Sequence, residues 1–141
     1  MQRKVDDIKG LNASEIYAID LVDTYLGGAD LTGIILRYSD LTGATLDDAV
    51  LTGADLEGSW LSNARLNRAN LSNCNCRGTS FESAVLDNAT LTFAVFEGAN
   101  FTSASLVNVH AQRALFMVAN LNLATSTGGS FLMDTCCSWL I

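Results

Sequence analysis

The sequence predicts an all-β solenoid, a tube in which the chain turns a corner every five residues, and three observations carry that prediction. The first is a large apolar residue at every fifth position from Leu31: Leu36, Leu41, Leu46, Leu51, Leu56, Leu61, Leu66, Leu71, Cys76, Phe81, Leu86, Leu91, Phe96, Phe101, Leu106, Ala111, Phe116 and Leu121. Seventeen of these 19 centres are Leu or Phe. The second is a small residue two before each centre, from Ala29 to Ala119, with only Ile34 and Val109 departing from it. The third is the period itself. Five fits neither the 3.6 of a helix nor the two of a flat strand, so each block must bend for both marked positions to face inward.

The blocks Ala29-Asp30-Leu31-Thr32-Gly33, Ala54-Asp55-Leu56-Glu57-Gly58 and Ala69-Asn70-Leu71-Ser72-Asn73 carry an A-(D/N)-L-x-x signature. The chain resembles the pentapeptide-repeat family in these blocks over about residues 29–125. That resemblance implies a right-handed, quadrilateral β-helix of about five coils. Four blocks form one 20-residue coil, and the centre and the small residue point inward. Large and small inward side chains that stack like on like can fill a narrow tube at crystal-like density. At one strand spacing per coil, the rod is about 24 Å tall.

Both open ends of a solenoid need covering. Residues 1–28 are expected to form an N-terminal helical cap. Asn12-Ala13-Ser14-Glu15 resembles a capping box, Ile16, Ile19, Val22 and Leu26 fall at helical spacing, and Gly27-Gly28 supply a stop, which predicts a helix over 13–26. The alternative is that Leu11, Ile16, Leu21 and Leu26 continue the five-residue period; Lys9 and Ile19 at the small positions argue against it. Residues 126–141 lose the pattern but stay apolar through Phe131-Leu132-Met133 and Trp139-Leu140-Ile141. Such a segment is expected to fold over the last coil or to pack against a second copy of the chain, as a homodimer through the C-terminal end.

With 20 residues per coil, outward positions form columns. Arg37, Glu57, Arg77 and Glu97 alternate in sign and predict a salt-bridge ladder that holds register. Thr32, Thr52, Ser72 and Thr92 form a hydroxyl column. Ile34 and Ile35 break the small-then-polar rule in the first coil, where the cap helix is their expected cover. Tyr38, Trp60 and Phe93 are isolated outward aromatics. The informative group is apolar: Val95, Leu115, Met117 and Val118 stand at outward positions near the C-terminal end of one face, with Val107 on the next. These four are the candidate interaction patch.

The sequence carries little that points to chemistry. His110, the one histidine, stacks with Asp30, Val50, Asn70 and Thr90 and meets no nucleophile there. Asp47 and Asp48 precede Arg68 by one coil, with Asp87 a coil further on, and read as solvated charge, since a two-carboxylate site needs a cleft that a filled tube lacks. Cys74 and Cys76 take two inward positions of one block and read as buried small hydrophobes rather than metal ligands. Two cysteines one residue apart and two adjacent ones, Cys136 and Cys137, are poorly placed for local disulfides, so reduced thiols are expected; a redox or metal role for the adjacent pair is the weaker idea. No catalytic, cofactor or metal site is assigned, and the chain is not expected to be an enzyme.

Composition bounds the partners. Eight Lys and Arg against 15 Asp and Glu give a net charge of -7, which disfavours nucleic acid. Asp6 and Asp7 interrupt any signal-peptide core, and no run of about 18 apolar residues spans a membrane, so a soluble cytoplasmic protein with no membrane partner is expected. Some members of the family imitate DNA and bind DNA gyrase, which makes that role the alternative to a non-catalytic protein-binding or scaffold module. Residues 29–125 carry nine acids against five arginines, four net negative charges. DNA of the same length carries about 14.

Overall fold

The computed structural model describes residues 18–129. One event repeats along this span. Isolated parallel bridges join each fifth residue to the residue 20 further on, beginning Asp20 to Asp40, Tyr25 to Thr45, Asp30 to Val50 and Ile35 to Asp55, and ending Ser105 to Thr125. Four bridges per 20 residues give the tube four sides. The first face carries centres Leu31, Leu51, Leu71, Leu91 and Ala111; the second Leu36, Leu56, Cys76, Phe96 and Phe116. The third begins at Leu21 and ends at Leu121, and the fourth runs from Leu26 to Leu106.

Each side ends in a turn whose sequence requirements explain the polar half of the repeat. The centre's carbonyl accepts the N–H three residues on, as from Ile34 to Leu31 at 3.2 Å and from Ala54 to Leu51 at 2.9 Å. The residue two after every centre has positive φ, between +51° and +69° at every fifth position from Ala18 to Gly128. Positive φ at that turn position alone is the signature of a type II turn, which is why Gly and Asn recur there. Coils are tied through the flanks of each centre. Leu31 N–H donates to Val50 O at 2.7 Å, Gly33 N–H to Thr52 O at 2.9 Å, and Val50 N–H to Ala29 O at 2.9 Å.

The core is one continuous column of side chains. Every centre from Leu21 to Phe116 is buried, and Leu121 is partly buried. The lower coils are filled by Leu and Ala. Higher up, Phe81 stacks on Phe101 with centroids 4.8 Å apart and Phe96 on Phe116 at 4.9 Å, while Phe96 meets Phe101 edge-on at 5.3 Å.

The helix expected over 13–26 is not what the described part of that segment forms. Residues 18–26 are already tube: Leu21 and Leu26 are buried centres, Asp20 and Tyr25 bridge to the next coil, and no helix occurs among the described residues. Residues 1–17 lie outside the described span, so the repeat starts by residue 18 rather than at 29. The helical spacing was coincidental, since Val22 points outward and is 42% exposed. Ile19 at a small position is tolerated, partly buried against the core. Ile34 likewise points inward, 5% exposed, and Ile35 packs partly buried beside it, so neither needs a helix to cover it. The apolar stretch 130–141, with Cys136 and Cys137, lies outside the described residues.

Candidate functional site

Among the described residues the interior is filled by the buried centres and the small residues between them. Its few polar groups are spent on backbone carbonyls: Thr79 Oγ1 donates to Leu56 O at 2.7 Å, Ser59 Oγ donates to the same oxygen, and Cys74 Sγ donates to Leu51 O at 2.8 Å. Ser39 Oγ accepts from Ile19 N–H at 3.1 Å. No buried side-chain nitrogen or oxygen among the described residues lacks a partner. Cys74 and Cys76 are free and fully buried. Burial, with the neighbouring Cys74, pushes the Cys76 thiol well above its ordinary range, the opposite of what a nucleophile or redox centre needs.

Four of the five arginines among the described residues, Arg37, Arg65, Arg68 and Arg77, pair with carboxylates of a neighbouring coil. Arg37 reaches Asp55 at 2.6 Å, and its contact with Glu57 stretches to 4.0 Å. Arg77 Nε donates to Glu97 at 3.1 Å, while Glu57 accepts the Asn75 amide at 3.2 Å. The expected Arg-Glu ladder is therefore broken into pairs. Sequence columns missed the reason: residues 18 apart are diagonal neighbours across one face and compete with residues 20 apart.

Asp47 and Asp48 sit in the densest of these networks. Asp47 accepts Asn67 N–H at 2.9 Å, the Asn67 amide at 2.8 Å and Arg65 Nε at 3.0 Å, and Arg68 holds Asp48 through two bonds of 2.7 Å. Partial burial pushes the Asp47 carboxyl up, but the Asn67 and Arg65 bonds outweigh it and hold it below the usual range. The Arg68 bond lowers Asp48 in the same way, and the Thr42 hydroxyl and N–H lower Asp40. Asp87, by contrast, accepts the Ser105 hydroxyl and Val107 N–H. No three His, Cys, Asp or Glu side chains converge among the described residues.

What remains is the apolar patch. Val95 bridges to Leu115 on the second face, and Gly98 N–H donates to Met117 O at 2.9 Å, so the patch rides on the last two coils. Val95 is partly buried, whereas Leu115, Met117 and Val118 are 39%, 45% and 76% exposed. Two neighbours escaped sequence reasoning. Leu123 is 80% exposed at the next corner, where its position outside the inward columns was the available signal. Arg113 lies over the Phe93 ring at 5.5 Å, a pairing that their 20-residue separation foretells.

No curated protein sequence matches the chain. Solved structures similar to it include a pentapeptide repeat protein of the Arabidopsis thaliana thylakoid lumen, 30% identical over 70% of this chain and 72% of that one, TM-score 0.40. They also include Rfr23 of the cyanobacterium Cyanothece 51142, 23% identical over 85% of each chain, TM-score 0.47. A third is QnrB1, a plasmid-mediated fluoroquinolone resistance protein, 18% identical over 83% of this chain and 86% of that one, TM-score 0.45. No helix among the described residues is long and apolar enough to cross a membrane. The family model for pentapeptide repeats matches residues 18–53, 49–88, 64–102 and 80–117, and with its period, turns and filled tube the chain belongs to the pentapeptide repeat family.

Proposed function

We infer that this protein is a non-catalytic protein-binding module whose contact surface is the apolar patch of Val95, Leu115, Met117 and Val118. The observation that carries this reading is the exposure of Leu115, Met117 and Val118, beside the partly buried Val95, on a rod whose other outward positions are mostly polar, with four arginines paired to carboxylates. A second copy of the chain, meeting patch to patch, is the first partner to test, because a twofold contact needs only one self-complementary surface. The right-handed winding that the family implies and a cover over each end belong to the same reading. Sedimentation equilibrium of the intact chain is expected to give a dimer that Met117→Glu with Leu115→Glu makes monomeric. A wild-type monomer that binds partners equally well with and without those substitutions would sink it.

Imitation of DNA toward gyrase is the second reading, and the charge pattern weighs against it. Arg37, Arg65, Arg68 and Arg77 each neutralise a carboxylate, so the faces lack an unbroken negative stripe. A supercoiling assay at micromolar protein is expected to show neither inhibition nor protection of gyrase.

A further inference from the structure

The last described coil, residues 110–129, is joined to the one below by the same backbone ladder as every other. Phe96 N–H donates to Leu115 O at 2.7 Å and Phe101 N–H to Asn120 O at 2.7 Å, as Cys76 N–H donates to Val95 O at 2.8 Å one coil below on the same face as Phe96. Its corners are different. All are left-handed, and those of residues 50–69 are Gly53, Gly58, Asn63 and Arg68, whereas those of the last coil are Arg113, Val118, Leu123 and Gly128. Val118, with φ of 51°, is the one β-branched residue at such a corner among the described residues, and a β-branched side chain tolerates that region worst.

Three further differences point the same way. Ala111 stands where Leu31, Leu51, Leu71 and Leu91 fill the first face, and the exposed Ser126 stands where Leu26 to Leu106 fill the fourth. The ties that the structure shows across this junction are uncharged hydrogen bonds, Thr92 to Gln112 at 3.4 Å and Asn120 to Thr102 at 2.9 Å, with Arg113 over Phe93. Among the described residues, the arginine-carboxylate pairs run from Arg37 up to Glu97. The side chains at the strained corners recover little by burial, Val118 and Leu123 being 76% and 80% exposed.

We propose that residues 110–129 form a separately opening coil, held shut by backbone pairing against strain at the Val118 and Leu123 corners, whose release uncovers the Phe96 and Phe101 rings. Phe96 loses its stacked partner Phe116 on opening, and the amides of Phe96, Phe101 and Leu106 lose their acceptors together. Leu115, Met117 and Val118 of the outer patch ride on this coil, so a partner bound there would shift the opening, while the strain at the corners belongs to the free chain. The opening sets how often an aromatic, hydrogen-bonding edge of the tube reaches solvent.

Hydrogen exchange of the intact chain tests it. The amides of Phe96, Phe101, Leu106, Leu115 and Asn120 are expected to exchange as one group, faster than those of Cys76, Phe81 and Leu86. Val118→Gly and Leu123→Gly should each slow that group by about tenfold, because glycine relieves the corner, and leave the lower coils unchanged. Val118→Ala, which trims the side chain but keeps its Cβ, should slow it less than Val118→Gly. Unequal exchange within the group, or glycine substitutions that leave it unchanged or faster, would overturn the proposal.

Discussion

At the residue scale the corner position is where this chain is least forgiving. Gly78 has φ of +62° and open space where a Cβ would go, so Gly78→Ala should cost only the left-handed penalty, about 1 kcal/mol. Gly58 has φ of +65°, and a Cβ there would meet the Tyr38 ring at 2.5 Å. Gly58→Ala should therefore cost measurably more in urea denaturation, and Tyr38→Ala should recover the difference in the double variant; equal costs at the two glycines would show that the ring simply moves aside. The buried thiols give a second prediction. In a Cys136→Ser/Cys137→Ser background, Cys74 and Cys76 should resist alkylation at pH 8 until the tube unfolds, since both are fully buried and the Cys76 thiolate is disfavoured.

At the element scale the unit is one side of one coil, and its polar positions work across coils. Asp47 illustrates this, because its partners Asn67 and Arg65 both belong to the coil above. A carboxyl held below its unfolded value stabilises the fold above that value, near pH 4, and the contribution is lost as pH falls through the lower folded value. Wild-type stability should accordingly drop on acidification below about pH 4, and Asp47→Asn should flatten part of that drop, read from urea midpoints between pH 2 and 7. The Asp47→Ala change at neutral pH should cost about 1–2 kcal/mol, by stranding the amide and guanidinium that it satisfies. An unchanged acid limb in Asp47→Asn would show that the network contributes nothing net.

The same scale shows what the sequence could and could not reveal. The inward centres were legible because burial leaves little latitude at those positions, and from Leu31 to Phe116 all but Cys76 and Ala111 announce themselves by size. The start of the tube was not legible. Ile19 sits where a small residue belongs, and its partial burial against the core is a matter of local room that no periodicity encodes. The outer pairing was half legible: columns of 20 gave Arg77 with Glu97, but Arg37 turned to the diagonal Asp55, and Arg68 and Asp48, read as solvated charge, pair with each other. Side chains as long as arginine choose between straight and diagonal neighbours by distance and geometry. The patch was legible as a breach of pattern, since nothing inward required Leu115, Met117 or Val118 to be apolar.

At the scale of the whole molecule, every bridge joins residues 20 apart in parallel, from Asp20 to Ser105. Pairing of that kind gives the rod a mechanical character. Under tension applied at its two ends, no coil shields another, because each is held only by its immediate neighbours. The rod should lengthen in equal increments of 20 residues, each about 70 Å of extended chain, and the force trace of a single tethered molecule should resemble a ratchet rather than one rupture. The first and lowest step should belong to the coil carrying Val118, so Val118→Gly should raise that step alone. A single all-or-none rupture at any pulling rate would mean that the Phe81–Phe116 stack welds the upper coils into one mechanical body.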